Sequence, residues 1–310
     1  MYLHKPVLLA EALESLRILP GGVYVDGTVG GGGHAQEILR LSGPDGILIG
    51  FDLDGEALME AGRKLEPFGD RARLVRGNYS DMREILKSLA FESVDGILLD
   101  LGVSSFQLNE PSRGFSFMHD GPLDMRLDQR NKNSAFEIIN TASEEKLKTI
   151  IRTYGEEPMA GRIAQAIVRR RTVSPIDTTG KLAGLIRDVM PGQRRFARIH
   201  PATKTFQAIR IAVNDELDHL SSVIDSAIDL LRPNGRFTVI SFHSLEDRIV
   251  KRAFVDLARA CKCPPKLPYC LCAGRAKVRL ITRRPISPSA DEINSNPRAR
   301  SARLRTVERI

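Results

Sequence analysis

Four short apolar runs in the first hundred residues alternate with segments of helical periodicity. In chain order, the runs end at Asp26, at Asp52, at the pair Asn78 and Tyr79, and at Asp100. Nearly continuous apolar runs of this length are typical of parallel strands that are buried on both faces. Strands that alternate with helices predict an α/β doubly wound sheet of the Rossmann-like kind.

The α/β pattern stops after the fourth run. Residues 101–107 and 113–126 are predicted as loops because the second of them is rich in glycine, proline and aromatic residues and neither has helical periodicity. Apolar residues then recur at helical spacing over roughly 134–190. The pattern after this region predicts two more helices and a returning strand, over 206–220, 223–231 and 236–242.

An interruption of about a hundred residues between the fourth strand and the returning strand is far longer than an ordinary loop. We therefore expect a discontinuous core formed by residues 1–108 and 205–310, with a helical insertion over 109–204. An insertion at the mouth of a ligand crevice is well placed to hold a substrate.

Composition limits the class of protein. The chain has 310 residues, of which 42% are hydrophobic, and this suffices for a sizeable core. No apolar run approaches the length of a membrane span, and the N-terminus lacks the pattern of a secretory signal, so we expect a cytoplasmic protein without a membrane contact. The net charge of +8 indicates an anionic partner such as nucleic acid. The positive charge is concentrated late in the chain, at Arg169–Arg171, Arg194, Arg195, Arg198, Lys204, Arg298, Arg300, Arg303 and Arg305.

The four cysteines form two C-x-C pairs, Cys261 with Cys263 and Cys270 with Cys272. A disulfide framework is not expected in a chain without a secretion signal. Four thiolates are a possible zinc set, but C-x-C is tighter than the usual C-x₂₋₄-C spacing. We expect reduced thiols on a surface loop and no metal, with a zinc site as the alternative.

A glycine-rich loop, residues 27–33, follows the first predicted strand and contains five glycines. Glycine lets another molecule approach the backbone closely, so this loop is suited to a ligand, and a flexible turn is the alternative. Ligands of doubly wound sheets bind beyond the carboxyl ends of the strands. Asp52 lies 19 residues past Gly33, the spacing expected for an acid that binds ribose hydroxyls. Tyr79 is placed to line an adenine pocket.

The glycine spacing also discriminates between nucleoside cofactors. The loop has neither the G-x-G-x-x-G order of dinucleotide enzymes nor the Gly-Lys-Ser/Thr ending of a P-loop. We therefore favour S-adenosylmethionine over NAD or ATP. A positively charged sulfonium also accounts for a crevice that is ringed by acids and lacks basic residues for phosphate.

Long literal motifs occur in a fixed order from end to end of the chain. They are His4-x-Pro6-Val7-Leu8, Asp26-Gly27-Thr28 with Gly31-Gly32-Gly33-His34, Asp95 through Ser105-x-Gln107, Arg113 through Phe117, Asp120 through Arg126, Tyr154-Gly155-Glu156-Glu157, His200 through Ile211, Ser241 through Arg248, and Asn296 through Ser301. With these motifs the chain resembles the ribosomal RNA small-subunit (cytosine-N4-)-methyltransferase family.

The resemblance implies a class I methyltransferase fold and methyl transfer from S-adenosylmethionine to the N4 amine of a cytidine in the decoding region of 16S rRNA, in the small ribosomal subunit. By the same match, the cofactor-contacting positions are Gly32, Gly33, His34, Asp52, Tyr79, Asp100 and Gln107. The position of Tyr79 is commonly Phe in relatives, and the C-x-C pairs occur in only some of them. Whether the protein is a monomer or a homodimer stays open.

Methyl transfer to cytosine N4 also needs a catalytic group. The N4 amine of cytosine is a poor nucleophile, so a proton acceptor is needed while the methyl group is held in line. DNA amino-methyltransferases place a Pro-Pro-aromatic loop here, whereas this chain has Asp100-Leu101-Gly102-Val103. We expect Asp100 and the backbone carbonyls that follow it to supply the acceptor, with the target base taken out of its stack. The alternative is that Asp100 only anchors the methionine amino group. His243 is a second candidate, for orienting the substrate, although loop histidines are more often structural.

The candidate RNA contacts are basic residues in and around the predicted insertion, namely Arg113, Arg126, Arg194, Arg195, Arg198 and Lys204. Two other classes of function are alternatives to a methyltransferase. A nucleotide-dependent oxidoreductase is disfavoured by the glycine spacing, and a non-catalytic RNA-binding module predicts no methyl transfer to any ribosomal substrate.

Overall fold

A computed structural model describes residues 6–192, 195, 200–261, 263 and 274–310. The chain divides into two compact units. The core unit consists of residues 1–102 and 217–310, and the helical unit consists of residues 103–216. The helical unit contains the whole of the predicted insertion, 109–204.

The core unit is built on one seven-stranded sheet with the order β3-β2-β1-β4-β5-β7-β6. The first five strands of this order are parallel, and β7 is antiparallel to both of its neighbours. The predicted α/β sheet is thereby confirmed. In chain order the strands are β1 Val23–Asp26, β2 Ile47–Asp52, β3 Ala72–Arg76, β4 Val94–Asp100, β5 Leu231–Ser241, β6 Val278–Leu280 and β7 Arg303–Arg309.

Helices cover both faces of this sheet, because its central strands are apolar on both sides. One apolar cluster includes Phe51, Ile97 and Phe237, and the other includes Tyr24, Leu48 and Leu98. The helices of the core unit are α1 Leu9–Leu16, α2 Gly33–Leu41, α3 Gly55–Leu65, α4 Met82–Ser88, α11 Glu216–Leu230, α12 Ser244–Leu257 and α13 Ala290–Ser295; Glu216 itself is the last residue of the helical unit.

The helical unit has an apolar core of its own, which includes Ile151, Ile163 and Ile186. The loop over 113–126 packs on this core through Phe115, Leu123 and other apolar side chains. The helices of this unit are α5 Ser105–Asn109, α6 Ala135–Thr141, α7 Glu144–Gly155, α8 Ala160–Arg171, α9 Thr179–Val189 and α10 Thr203–Asn214.

The structure differs from the sequence predictions in several places. The helices predicted over 206–220 and 223–231 are α10 and α11, and the break between them falls at Asp215, while the returning strand β5 begins at Leu231 and not at 236. Residues 101–107 are not wholly a loop, because α5 begins at Ser105, and its capping box pairs Ser104 with Gln107. The strands β6 and β7 were not predicted at all. Arg305, counted above among the late basic residues, is 7% exposed in β7 and pairs with Asp247 at 2.7 Å between Nε and Oδ1.

None of the helices that the structure describes is long and apolar enough to cross a membrane.

Candidate active site

Three buried or half-buried carboxylates end adjacent parallel strands of the core unit. Asp26 ends β1, and Asp52 and Asp100 end its two neighbours, β2 and β4. Because the carboxyl ends of parallel strands meet at one edge, the three acids lie close together. Burial raises the pKa of Asp26 to about 7, with a further contribution from Asp52, and burial also raises the pKa of Asp52 to about 6. This edge of the sheet therefore carries acids that hold their protons more tightly than usual.

Asp52 fixes the glycine loop. Its Oδ2 accepts a hydrogen bond of 2.9 Å from the backbone N–H of Gly30, and its Oδ1 accepts one of 2.9 Å from Asp54 N–H. At the end of the loop Gly32 has a φ of 76°, a left-handed conformation that suits glycine. The acid that was predicted to bind ribose thus also supports the loop, and its oxygens keep lone pairs for further donors.

Thr28 links two of the strand ends, and sequence reasoning missed this role. Its backbone N–H donates to Asp26 Oδ1 at 3.1 Å, and its hydroxyl also hydrogen-bonds to Asp26. The same hydroxyl accepts a hydrogen bond of 2.6 Å from the backbone N–H of Asp100. The available signal was the position of a threonine two residues after a strand-end acid, where short local hydrogen bonds are common.

His34 lies on the first turn of α2, buried at 5% exposure, and faces Asp100. Its Nε2 is 3.0 Å from the carbonyl oxygen of Val7. Because a carbonyl only accepts, Nε2 carries a hydrogen. The other ring nitrogen, Nδ1, is 3.7 Å from Asp100 Oδ2. The imidazole is therefore oriented by the backbone on one side and directed at the carboxylate on the other.

Asp100 is the most strongly perturbed of the three acids. Burial raises its pKa well above the ordinary range, and the nearby carboxylates of Asp26 and Glu246 raise it further. Its Oδ1 is buried and has no hydrogen-bond partner within the described part of the chain. An ionised carboxylate in this position needs a positive charge beside it.

Glu246 is a second residue that the sequence prediction did not include. It is 2% exposed, and its Oε2 accepts hydrogen bonds from the backbone N–H groups of Phe242 and His243 at 2.8 and 3.2 Å. His243 is the N-cap of α12, where its side chain accepts from Glu246 N–H in a capping box. The available signal was a polar residue followed three positions later by Glu before an apolar helix. The structure thus gives His243 a capping contact, and its role in orienting substrate stays a prediction.

The remaining predicted cofactor residues lie in both units. Gly32 and Gly33 stand at the start of α2. Tyr79 follows β3, and its Cβ lies within 3.1 Å of the point where a Cβ on Gly27 would be. Gln107 belongs to the helical unit, where its Oε1 accepts from Ser104 N–H at 2.8 Å. Cofactor contact by these residues stays a prediction.

The predicted RNA contacts have different environments. Arg113 is 3% exposed and donates to the carbonyl oxygen of Arg126 at 3.1 Å. Arg126 itself makes an ion pair of 2.7 Å with Asp124. Arg195 and Lys204 are exposed, and each donates to a backbone carbonyl, of Asp188 and Glu156 respectively. Two further candidates, Arg194 and Arg198, lie outside the described residues.

The cysteine prediction is likewise only partly covered. Cys261 is exposed and Cys263 is half-buried, whereas Cys270 and Cys272 lie outside the described residues. Whether the four thiols bind zinc stays open.

The acids and the glycine loop fit one kind of cofactor. A ligand with a sulfonium, an amino group and two ribose hydroxyls supplies the positive charge that Asp26 and Asp100 lack, and it supplies donors for Asp52. The first N–H groups of α2 have no partner within the helix, and its N-cap residue, Gly32, has no side chain to cap them, so they suit a carboxylate. This fold and this donor set define a class I, S-adenosylmethionine-dependent methyltransferase.

Comparison with known proteins identifies the family. The model of the MraW methylase family matches residues 1–310, and the chain belongs to that family. It is 55% identical to the ribosomal RNA small subunit methyltransferase H of Syntrophus aciditrophicus, over 99% of this chain and 98% of that protein. It is 52% identical to the proteins of the same name from Geotalea daltonii and Symbiobacterium thermophilum, over 99% of this chain and 98% and 96% of theirs. Membership of a methylase family argues against the alternative of a nucleotide-dependent oxidoreductase.

Proposed function

We propose that this protein transfers a methyl group from S-adenosylmethionine to the exocyclic N4 amine of one cytidine in the decoding region of 16S rRNA, in the cytoplasm. The observation that carries the rRNA substrate is the 55% identity, over 99% of the chain, to a ribosomal RNA small subunit methyltransferase. The choice of cytidine N4 is based on the motif resemblance described above, from the glycine loop to the segment Ser241–Arg248.

The electrostatics of the strand ends support a cationic methyl donor. In the ligand-free protein, burial raises the pKa of Asp26 to about 7 and also raises the pKa of Asp100, so both carboxyls hold a proton more tightly than ordinary aspartates. A cation beside these carboxyls lowers both pKa values, since it stabilises the charged form. The cofactor, when bound, supplies the electrophilic methyl group, and Asp52, His34 and the glycine loop orient it.

Asp100 is suited to take a proton from the amine. The lone pair of the N4 amine is delocalised into the cytosine ring, so removal of an N4 proton promotes attack on the methyl group. The positive charge of the bound cofactor favours the ionised form of Asp100. The buried Oδ1 of Asp100, which is uncommitted among the described residues, can then accept the proton. The backbone N–H of Asp100 is held by Thr28 at 2.6 Å, which fixes the strand end. A base inside a duplex cannot reach such a buried carboxylate, so the cytidine is expected to leave its stack.

Anchoring of the methionine amino group is the second role open to Asp100, and Asp100→Asn separates the two. If Asp100 accepts the proton, kcat falls by roughly 10²- to 10⁴-fold while the Kd for the cofactor changes little. If Asp100 is an anchor, the Kd rises instead, because a buried charge-assisted hydrogen bond is lost. Normal turnover together with normal affinity would contradict both roles. Asp291→Asn, at an exposed position on α13, is the matched control.

The RNA is expected to be held by basic residues of the helical unit. Arg126, Arg195 and Lys204 are the described candidates, together with Arg194 and Arg198. The burial of Arg113 at 3% exposure argues for a structural role, in which its guanidinium supports the loop over 113–126. Binding that barely changes between low and high salt would exclude this set.

The direct test is methyl transfer from labelled S-adenosylmethionine to naked 16S rRNA, free small subunits and whole ribosomes. We expect transfer to at least one of these and none to large-subunit rRNA. A non-catalytic RNA-binding protein would bind the same RNA and transfer no label, and this result would refute the proposal.

A further inference from the structure

The helix α8 carries exposed arginines, and the stability of the helix does not explain all of them. Arg162, Arg169 and Arg170 are exposed, whereas Ile163 and Ile167 pack into the core of the helical unit. At about 100° per residue, Arg162 and Arg169 lie within about 20° of each other on one side of α8, about 10 Å apart along the helix. Arg170 lies about 80° round the helix from Arg162, beside the apolar side. We call Arg162, Arg169 and Arg170 the arginine stripe.

The stripe has no acidic counterpart on its own helix. The twelve residues from Ala160 to Arg171 contain four arginines and no Asp or Glu. Arg170 donates to Ser174 Oγ at 2.7 Å. In the described ranges of the chain, none of the three stripe residues forms an ion pair. Their positive charge is therefore not neutralised within the structure.

Comparison with α7 shows which of these arginines is unusual. α7 begins with Glu144 and Glu145 and has Arg152 in its last turn, the arrangement that suits the helix dipole. α8 has Arg169 and Arg170 in its last turn, which also suits the dipole, but it has Arg162 in its first turn and no acid there. A cation at the positive end of a helix is destabilising. Helix stability therefore accounts for the C-terminal arginines but not for Arg162.

A polyanion is the partner that this face fits. Guanidinium groups bind phosphates bidentately, and an exposed group of them suits a phosphodiester backbone. Gln165, on the side of Arg162 and Arg169, adds an uncharged hydrogen-bonding side chain. A membrane surface fits less well, since interfacial helices insert an apolar face, and the apolar face of α8 is already buried in the unit.

We propose that the arginine stripe of α8 is a phosphate-binding surface for the rRNA substrate, beyond the residues nominated from the sequence. This inference rests on the proposed function. The stripe has no part in methyl transfer itself, so its loss should weaken RNA binding and leave the chemical step intact.

The test compares three variants. The first replaces all three stripe residues with Gln, and the second replaces them with Lys, which retains the charge. The third is a matched control with the same change in net charge, made at exposed cations of the core unit: Lys87→Gln, Lys251→Gln and Arg252→Gln. Binding of each protein to 16S rRNA is measured between 50 and 200 mM KCl. Thermal melting checks that each variant is folded.

The salt dependence decides the outcome. Loss of three phosphate contacts should reduce the magnitude of the slope of log K against log[salt] by roughly 2–3. Between 50 and 200 mM KCl the affinity of the Gln variant should therefore fall by a factor roughly 20- to 40-fold smaller than the factor for the wild type. The Lys variant should keep the slope, and the control should keep most of it. KM for the RNA substrate should rise in the Gln variant with kcat unchanged.

Three results would overturn the inference: an unchanged slope in the Gln variant, an equal loss in the control, or loss of binding to anionic lipid vesicles with RNA binding intact. Methyl transfer by the wild type is assayed in parallel. If the wild type transfers methyl groups and the stripe has no effect, the inference fails and the proposed function stands. If the wild type transfers none, the proposed function fails whatever the slope.

Discussion

Replacing Asp26 with Asn should remove a large part of the pH dependence of stability in the ligand-free protein. Burial raises the pKa of Asp26 from 3.8 to about 7, so the folded protein keeps a proton that the unfolded chain loses. The stability that this proton provides is fully present below the unfolded pKa of 3.8 and is lost as the pH rises through about 7. The sign is thus opposite to that of an acid in an ion pair.

The size of the effect follows from the difference between the two pKa values. Each pKa unit corresponds to about 1.4 kcal/mol, so the whole difference is worth about 4 kcal/mol, of which about 2–3 kcal/mol falls between pH 5 and pH 8. Wild-type protein should lose this amount of unfolding free energy over that range in addition to what the variant loses. Asn cannot ionise, but it retains an acceptor oxygen for Thr28 N–H.

The assay is urea unfolding of ligand-free protein at pH 5, 6, 7 and 8, for the wild type, Asp26→Asn and the exposed control Asp291→Asn. The control should follow the wild type. Isothermal titration with S-adenosylmethionine near pH 6.5, in buffers of different ionisation enthalpy, should show proton release on binding to the wild type and less release in Asp26→Asn. The same pH dependence in the wild type and Asp26→Asn would refute the electrostatic account of the strand ends.

Three more substitutions test separate parts of the structure. Gly27→Ala places a Cβ 2.3 Å from the side chain of Leu99, which is buried, so urea unfolding should show a loss of about 1–3 kcal/mol; an unchanged free energy of unfolding would contradict the tight approach. Asp247→Ala leaves the buried Arg305 without its ion-pair partner, and urea unfolding should show a loss of about 3–5 kcal/mol. Arg113→Met should destabilise the protein by about 1–3 kcal/mol without changing the salt dependence of RNA binding, whereas a changed slope would return Arg113 to the RNA contacts.

The parallel part of the sheet could be predicted because a few neighbouring residues specify each of its strands. The strands β1, β2 and β4 are apolar on both faces and end in an acid, so the strand, its end and the polar residue that follows are all readable from a few neighbouring positions. The convergence of the strand ends then follows from topology alone.

The strands β6 and β7 could not be predicted in the same way. β7 runs from Arg303 to Arg309, and its charged residues looked like a basic tail. In the structure Glu308 pairs with Arg236 on β5, 72 positions away, at 3.0 Å. Charged residues of a strand can be paired with residues that are distant in sequence. The pattern of polar and apolar residues along the strand does not reveal these partners.

The candidate site likewise contains residues that could be predicted from the sequence and residues that could not. Asp52 and Asp100 were predicted from their positions at strand ends. The roles of Thr28 and Glu246 were recognised only in the structure, although each residue has a short local signal in the sequence. The buried environment that raises the pKa of Asp100 depends on Asp26 and Glu246, and no spacing rule brings these three residues together. The helix α5 was missed although Ser104 and Gln107 form a capping box, because five residues are too few for periodicity to be seen.

The most direct test of the central claim is to identify the nucleoside that is methylated. Small subunits whose 16S rRNA lacks the modification are incubated with the enzyme and labelled S-adenosylmethionine, and the rRNA is digested to nucleosides and analysed by mass spectrometry. We predict label in N4-methylcytidine, at a single position in the decoding region. Label in another base or in ribose, or no label at all, would contradict the account.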